Sequence, residues 1–432
     1  MKRIIISSNC SGGGKTTVTL GIMKALTKRG LKVQGYKVGP DYIDKEFHKL
    51  ATGIDSRNLD MFLMGKSGVS YSLSKGCGDI SIIEGVMGLY DGKGLDEEFS
   101  TYHLSKEFNH IPIILIMTPK AQSLTICAEI NGIKNFKGAN IKGVIFNKVS
   151  EKYYNLLKEL VNKNCDVDVL GYIPKDESIS LKSRHLGLVQ SIETEKISDV
   201  LDKCSDLVNK YINLEKIIDY AKDISIENKK LEIQKRDIKI AVAYDKAFNF
   251  YYKENLEILE SIGEVVYFSP LNDKELPKDI DFLYIGGGYP EVFKNELSNN
   301  KSMLKSIRES LSKGLKCYAE CGGFMYLNKS IEGFDMVNFF NSEVVMTNSL
   351  QNFGYAVLKG FKNDINIHEF HKSKCIGNRE NIFDIEKTDV LGNKINWKCG
   401  YKKNNTIAQY PHIHFYKNLD FLNNILDLEG EK

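Results

Sequence analysis

The chain has 432 residues, 42% hydrophobic and 27% charged, with 59 basic against 56 acidic side chains and a net charge of +3. That length exceeds one ordinary core and predicts two domains. The near-balance of charge excludes a general electrostatic drive toward nucleic acid or a membrane surface, so any anionic partner must be held by a local site.

Nine cysteines, at 10, 77, 127, 165, 204, 317, 321, 375 and 399, are widely spaced with no CxxC pair. They predict reduced thiols in a cytoplasmic protein, not a disulfide framework or a zinc knuckle. The opening MKRIIISSNC is basic but short in apolar residues, which predicts a first strand and not a signal peptide. No stretch approaches the roughly 18 apolar residues of a membrane helix.

In chain order, RIIISS (3–8), KVQGYKV (32–38), DISIIEG (79–85), IPIILIM (111–117), IKGVIFN (141–147) and VDVLGYIP (167–174) predict strands, mostly apolar as in a doubly covered parallel sheet. TTVTLGIMKALTKRG (16–30) predicts a helix ending at Gly30. This βα alternation predicts a doubly wound α/β domain. A helix over about 195–223 and a charged linker, NKKLEIQKRD (228–237), follow. Strands then recur at IKIAVAY (238–244), GEVVYFSP (263–270), DIDFLYIGGG (279–288) and GLKCYAECGG (314–323), giving a second α/β unit. The segments 344–360 and 406–416 predict antiparallel strands added to that second sheet.

SSNCSGGGKTTVTLG (7–21) joins the first strand to the first helix, the context of a phosphate loop. Its NxxxxGKT run has Asn9 where glycine is usual, and asparagine tolerates left-handed angles better than most residues. Gly12, Gly13 and Gly14 let backbone N–H groups approach phosphate oxygens, Lys15 reaches terminal phosphates, and the Thr16 hydroxyl suits magnesium. Asp41 and Asp44 in GYKVGPDYID (35–44), with Glu84 and Asp91 in SIIEGVMGLYDG (81–92), fall at the same sheet edge. Any one of them also fits a loop-capping carboxylate.

In the second unit, strand, Cys321, Gly322, Gly323 and FMYL form the pattern of a nucleophile elbow, with a helix N-terminus to favour the thiolate. YPHIHFY (410–416) supplies His412 and His414, on one face if the segment is a strand. YIGGGYPE (284–291) offers backbone N–H groups at Gly287 and Gly288 for an oxyanion. Taken alone, Cys321 equally fits a small buried core residue. HEFH (368–371) lacks the spacing of a helical zinc pair, and no cysteine completes one.

In order along the chain, SGGGKTT, GYKVGPDYID, IIEGVMGLYDG, SRHLGLV (183–189), AYDKAFNFYY (243–252), YIGGGYPE, ECGGFMYL, HEFH and YPHIHFY resemble the cobyrinic acid a,c-diamide synthases and their relatives that amidate nickel-sirohydrochlorin. IIEGVMGLYDG is the most specific of these motifs. Cobyric acid synthases and dethiobiotin synthetases are similar in loop and sheet but match it only in the opening EG.

The resemblance implies an N-terminal phosphate-loop, doubly wound, dethiobiotin synthetase-like domain over 1–225 that activates carboxylates with ATP. A linker over 226–237 and a class I glutamine amidotransferase-like α/β domain over 238–432 complete it. By the same resemblance, Gly12, Gly13, Gly14, Lys15, Thr16 and Thr17 bind ATP, and Thr16, Glu84 and Asp41 hold Mg2+. Asp41 and Asp44 lie near the acceptor carboxylate, and Asp91 at the junction of ATP and acceptor. Cys321 attacks glutamine, His412 is its base, and Gly287, Gly288 and Gly322 line the oxyanion and glutamine pocket. His414 supports the site where triad glutaminases carry a glutamate, which leaves the orienting partner open. Ammonia needs a sheltered route, because free ammonia is mostly ammonium at neutral pH.

The implied partners are ATP, L-glutamine and cobyrinic acid or a related tetrapyrrole, bound by a monomer or homodimer. Asn9, Tyr244 (where an arginine is common) and the glycine- and proline-poor stretch 331–346 depart from the family pattern. A nickel-sirohydrochlorin substrate fits the same residues. A nucleotide-switched phosphate-loop binding ATPase fits the first 150 residues alone.

Overall fold

The computed structural model describes residues 1–179, 191–227, 231–377 and 381–428, with the backbone alone for 191–196. SRHLGLV (183–189) and residues 228–230 of the expected linker lie outside the described residues. The chain forms two compact units. The first takes Met1–Met61 and the described residues from Lys66 to 227; the second takes Phe62–Gly65 and the described residues from 231 onward. Among the described residues no helix is long and apolar enough to cross a membrane.

In the first unit β1 (Lys2–Ser8), β2 (Val33–Val38), β3 (Arg57–Leu59), β4 (Ile80–Glu84), β5 (Ile113–Met117), β6 (Ile141–Asn147) and β7 (Asp168–Ile173) form a parallel sheet. Their order is β3-β2-β4-β1-β5-β6-β7. Ile4 on β1 sits opposite Ile82 on β4, and Ile6 opposite Ile114 on β5. These β-branched side chains are fully buried, as expected of central strands covered on both faces. The order places the carboxyl ends of β2, β4 and β1 side by side, so Glu84 at the end of β4 and the segments that bring Asp41 and Lys15 after β2 and β1 converge at one edge.

The helix expected over about 195–223 is two helices, Ser191–Tyr211 and Leu214–Tyr220, followed by a two-residue strand, Lys222–Asp223, antiparallel to β1. The break has a local cause: the Asn213 side chain accepts the Lys216 N–H at 3.1 Å and caps the second helix. β3 has no apolar alternation to announce it. The expected charged linker is also not wholly solvated, because Leu231 and Ile233 pack against the core of the second unit.

Among the described residues the second unit holds two large sheets and a two-stranded antiparallel pair, Phe248–Phe250 with Gly287–Gly288. The main sheet runs Glu264–Phe268, Lys239–Ala243, Phe282–Ile285, Lys316–Glu320, Thr406–Gln409, all parallel, with Tyr401–Lys403 as an antiparallel edge. The other is largely antiparallel and is built on Glu343–Lys359 and Ile365–Ile376. Two segments differ from their expected placement. The segment 344–360 belongs to this separate sheet, and Thr406–Gln409 joins the main sheet in parallel. Within 406–416, His412–Ile413, past Pro411, pairs antiparallel with Ile365–Ile376, so one short segment passes from one sheet to the other. Proline lacks the N–H a continuing strand needs, which suits it to that crossing.

Candidate active sites

The loop after β1 turns on Gly12 and Gly14, with φ of 77° and 80°, and leads into α1 (Lys15–Lys28). Asn9 is not among the residues with positive φ, so its tolerance of left-handed angles is not what fits it here. Its side-chain amide instead donates to Glu129 Oε1 at 2.6 Å and tethers the loop. Thr118 Oγ1 and Asn147 Nδ2 both donate to the Gly13 carbonyl, at 2.8 and 2.9 Å. This leaves the loop's N–H side for an anion. A Cβ at Gly14 would meet Asn147 Nδ2 at 2.2 Å, so the packing requires glycine there as well. Lys15 Nζ donates to the Met87 carbonyl at 2.6 Å, which draws the loop after β4 against the phosphate loop.

Behind this loop lies a buried charge network. Thr16 Oγ1 donates to Glu84 Oε1 at 2.6 Å, and Lys37 Nζ donates to the same oxygen at 3.0 Å. Lys37 also pairs with Asp44 Oδ2 at 2.6 Å. His48 Nε2 lies 2.7 Å from Glu84 Oε2, and its Nδ1 lies 2.9 Å from Ser56 Oγ. Burial pushes the Glu84 carboxyl up, but the Lys37 charge and the His48 and Thr16 hydrogen bonds hold it well below the usual carboxylate range. Burial likewise works to lower Lys37, and Asp44, Glu84 and Asp41 outweigh it and raise the ammonium.

Of the four expected carboxylates, Glu84 and Asp44 therefore share one cation. Asp41 stands beside them and acts locally. Its Oδ1 accepts the Ile43 and Asp44 N–H groups at 2.8 and 3.0 Å, at the start of α2 (Ile43–Thr52). Asp91 is solvent-exposed and accepts the Gly88 N–H at 2.9 Å, which fixes the loop after β4. Thr17 lies half-buried in the first turn of α1.

In the second unit Cys321 takes φ 48° and ψ −104° at the head of the short helix Gly322–Leu327 and is 5% exposed. A non-glycine residue in that region is strained, and the surroundings must hold it. They do so through the Cys321 N–H, which donates to the Gln409 carbonyl at 2.8 Å, and the Gly323 N–H, which donates to the Gly286 carbonyl at 2.9 Å. A Cβ at Gly322 would meet Gly288 N at 2.9 Å, so the predicted oxyanion glycines are brought together. Tyr251 supports the same turn, its hydroxyl accepting the Gly286 N–H at 2.8 Å.

His412 is buried against Gly287, where a Cβ would meet its Cε1 at 2.6 Å. Burial acts to lower its pKa, but Cys321, through charge and a side-chain hydrogen bond, and then Glu320, raise it to about 10. His412 and Cys321 thus stand as the paired base and thiol that nucleophilic catalysis requires. His412 Nδ1 lies 3.4 Å from Glu320 Oε2. His414 does not share this place. Its Nε2 lies 3.8 Å from Glu254 Oε2, and its ring rests 4.8 Å from that of Tyr252. HEFH is dispersed too: His368 faces His412, while His371 stacks on Tyr410 at 3.8 Å and pairs with Glu369 at 3.1 Å.

Residues 4–189 match the CobQ/CobB/MinD/ParA nucleotide binding domain, and residues 239–419 the CobB/CobQ-like glutamine amidotransferase domain. Over 99% of its length the chain is 55% identical to the whole of the cobyrinate a,c-diamide synthase of Clostridium tetani. It is 55% identical over 99% to the whole of that of Clostridium acetobutylicum. That of Saccharolobus solfataricus is 43% identical, over 96% of this chain and 98% of the relative.

The chain belongs to the cobyrinate a,c-diamide synthase family.

Sequence reasoning on this family member misses Lys37, His48, Ser56 and Glu320. Lys37 and Glu320 have a legible signal, since each is charged, lies inside a quoted motif and falls at the carboxyl end of a predicted strand, where a buried ion must have a partner. His48 and Ser56 have none, because they reach Glu84 only through the packing of α2 on the sheet.

Proposed function

We propose that this chain uses ATP and glutamine to convert the a and c side-chain carboxylates of cobyrinic acid to amides. Residues 1–225 act as the amidoligase, 226–237 as the linker and 238–432 as the glutaminase, in a cytoplasmic monomer or homodimer. The observation that carries the reading is Cys321 on its strained elbow with His412 as its side-chain hydrogen-bond partner, on the same chain as a phosphate loop backed by buried carboxylates.

In the glutaminase half, the Cys321 thiolate attacks the carboxamide carbon of glutamine, and the N–H groups around Gly287, Gly288 and Gly322 receive the developing oxyanion. His412 gives its proton to the departing ammonia. Water, deprotonated by the same imidazole, then cleaves the thioester to glutamate and free thiol. In the ligase half the acceptor carboxylate takes the γ-phosphoryl group, ADP leaves, and ammonia displaces phosphate from the acyl phosphate to give the amide. Lys15 and the N–H groups of Gly12, Gly13 and Gly14 bind the phosphates, Thr17 lies beside them, and Asp44 and Asp91 position the acceptor.

The oxygens of Thr16 and Glu84, one a hydroxyl and one a carboxylate held ionised, converge within 2.6 Å and suit a hard cation. Thr16, Glu84 and Asp41 would hold Mg2+, which when bound neutralises charge on the transferring phosphoryl group.

The test is a mass-resolved assay with Mg-ATP, glutamine and either cobyrinic acid or nickel-sirohydrochlorin. Two successive carboxyl-to-amide steps on the cobalt ring support the reading. Steps on the nickel ring alone would replace the substrate, and ATP hydrolysis without amidation of either would overturn it.

A further inference from the structure

A histidine that takes and returns a proton through one nitrogen needs the other held, so that tautomer and ring orientation are defined. Triad glutaminases meet this need from two residues beyond the histidine, and in this chain that residue is His414. The structure turns His414 away. Its Nδ1 accepts the Tyr416 N–H at 3.3 Å, its Nε2 faces Glu254, and its ring packs on Tyr252.

The carboxylate that reaches His412 comes from the strand before the nucleophile. Glu320 is 2% exposed, and its Oε1 accepts the Tyr318 hydroxyl at 2.9 Å and the Ile413 N–H at 3.0 Å. Its Oε2 accepts the Tyr284 hydroxyl at 3.1 Å. Tyr318 is itself fixed by Gln409 Nε2 at 2.9 Å. Three donors from three strand segments thus lock the carboxylate plane, with Oε2 at an ion-pair distance of 3.4 Å from His412 Nδ1. The Ile413 bond ties Glu320 to the residue next to the histidine, so the two side chains keep their register. The charged or titratable groups that act on His412 are Cys321, Glu320 and His368. Burial first, then the charges of His412 and Lys387, hold His368 down at about 3, so it stays neutral.

We propose that Glu320, the residue immediately before the nucleophile, is the positioning residue that orients His412 through Nδ1 and leaves Nε2 to Cys321. This rests on the glutaminase reading of Cys321 and His412. In this arrangement the third member of the constellation lies on the nucleophile's own strand and is braced by two tyrosines. It is not on the histidine's segment.

The experiment uses the full-length chain and follows iodoacetamide alkylation of Cys321 by peptide-resolved mass spectrometry from pH 5 to 10, with exposed Cys77 as internal reference. Wild type, Glu320→Gln and Glu320→Asp are compared, each with a melting curve, and kcat and KM for glutamine hydrolysis are measured alongside. Wild-type Cys321 should react well below the pH range of Cys77. In Glu320→Gln the inflection should rise by about one unit or more, with about a tenfold slower reaction at pH values below the wild-type inflection, because the imidazolium that stabilises the thiolate loses its own counter-charge. kcat should fall with little change in KM, since Glu320 does not touch glutamine.

Superimposable profiles for wild type and Glu320→Gln would overturn the assignment while leaving Cys321 as nucleophile. A wild-type Cys321 no more reactive than Cys77 would overturn the nucleophile reading and the assignment together. If Glu320→Gln does not fold, Glu320→Asp decides: a low inflection with reduced kcat supports the assignment, and an undiminished kcat overturns it.

Discussion

Lys37→Met is the sharpest probe of the first unit. Lys37 is 3% exposed and holds Asp44 at 2.6 Å and Glu84 at 3.0 Å, both themselves buried. Methionine fills a similar volume, so the change removes charge without opening a cavity. Two buried carboxylates then lose their shared cation, and breaking a buried pair in this way costs about 3–5 kcal/mol. For a unit of this size, about 2–4 °C per kcal/mol puts the loss on the order of 10 °C in the transition of the first unit.

The dependence on pH discriminates further. In the wild type Glu84 is held below its unfolded value, so its contribution is present above that value and lost only as pH falls through the folded one. Without Lys37, burial dominates and raises the carboxyls, so the penalty grows as pH rises above the unfolded value. The gap between wild type and variant should therefore be smaller at pH 5 than at pH 8. Adding Asp44→Asn should recover part of the loss, as a double-mutant cycle would register. Differential scanning calorimetry at both pH values measures all three. A variant melting within about 1 °C of wild type at pH 8 would refute the network argument.

Cys321→Ala should abolish glutamine-dependent amidation while ammonium salts still support it; retained use of glutamine would contradict the nucleophile. Gly14→Ala forces a Cβ onto a backbone at φ 80° and to 2.2 Å from Asn147 Nδ2. The left-handed strain alone costs about 1–2 kcal/mol, so calorimetric ATP affinity should fall at least roughly tenfold, and an unaltered affinity would count against the loop. Gly323→Ala places a Cβ 2.2 Å from the Ile285 carbonyl oxygen, a backbone atom that cannot swing away. The elbow should open, with glutamine use lost and ammonium-driven turnover retained. Glu129→Ala releases Asn9, held at 2.6 Å. A net hydrogen bond of about 1 kcal/mol predicts a several-fold rise in KM for ATP at nearly unchanged stability, which steady-state kinetics and a melt can separate.

Much of this molecule is written locally. Runs such as IIIS and IILIM are β-branched and apolar, and glycine followed by Lys-Thr after a strand can only open a helix over a turn, so β1, β5 and the phosphate loop were legible from the chain. Cys321 before two glycines was legible for the same reason, since an elbow is a property of consecutive residues. The three-residue β3 and the break at Asn213 were not, because one is too short to show a period and the other is a side-chain cap inside a helical pattern.

What only the tertiary structure decided is which charges meet. Lys37 joins Asp44 to Glu84 because β2 lies beside β4, and His48 joins them because α2 packs on that pair. The crossing at Pro411 sends His412 toward Glu320 and His414 toward Glu254, two residues apart in sequence but in separate surroundings. Residue type and spacing determine which groups are available and which turns present them. Partners far apart along the chain are selected by strand order and burial, because a desolvated charge must find its counter-ion among whatever the fold places within reach.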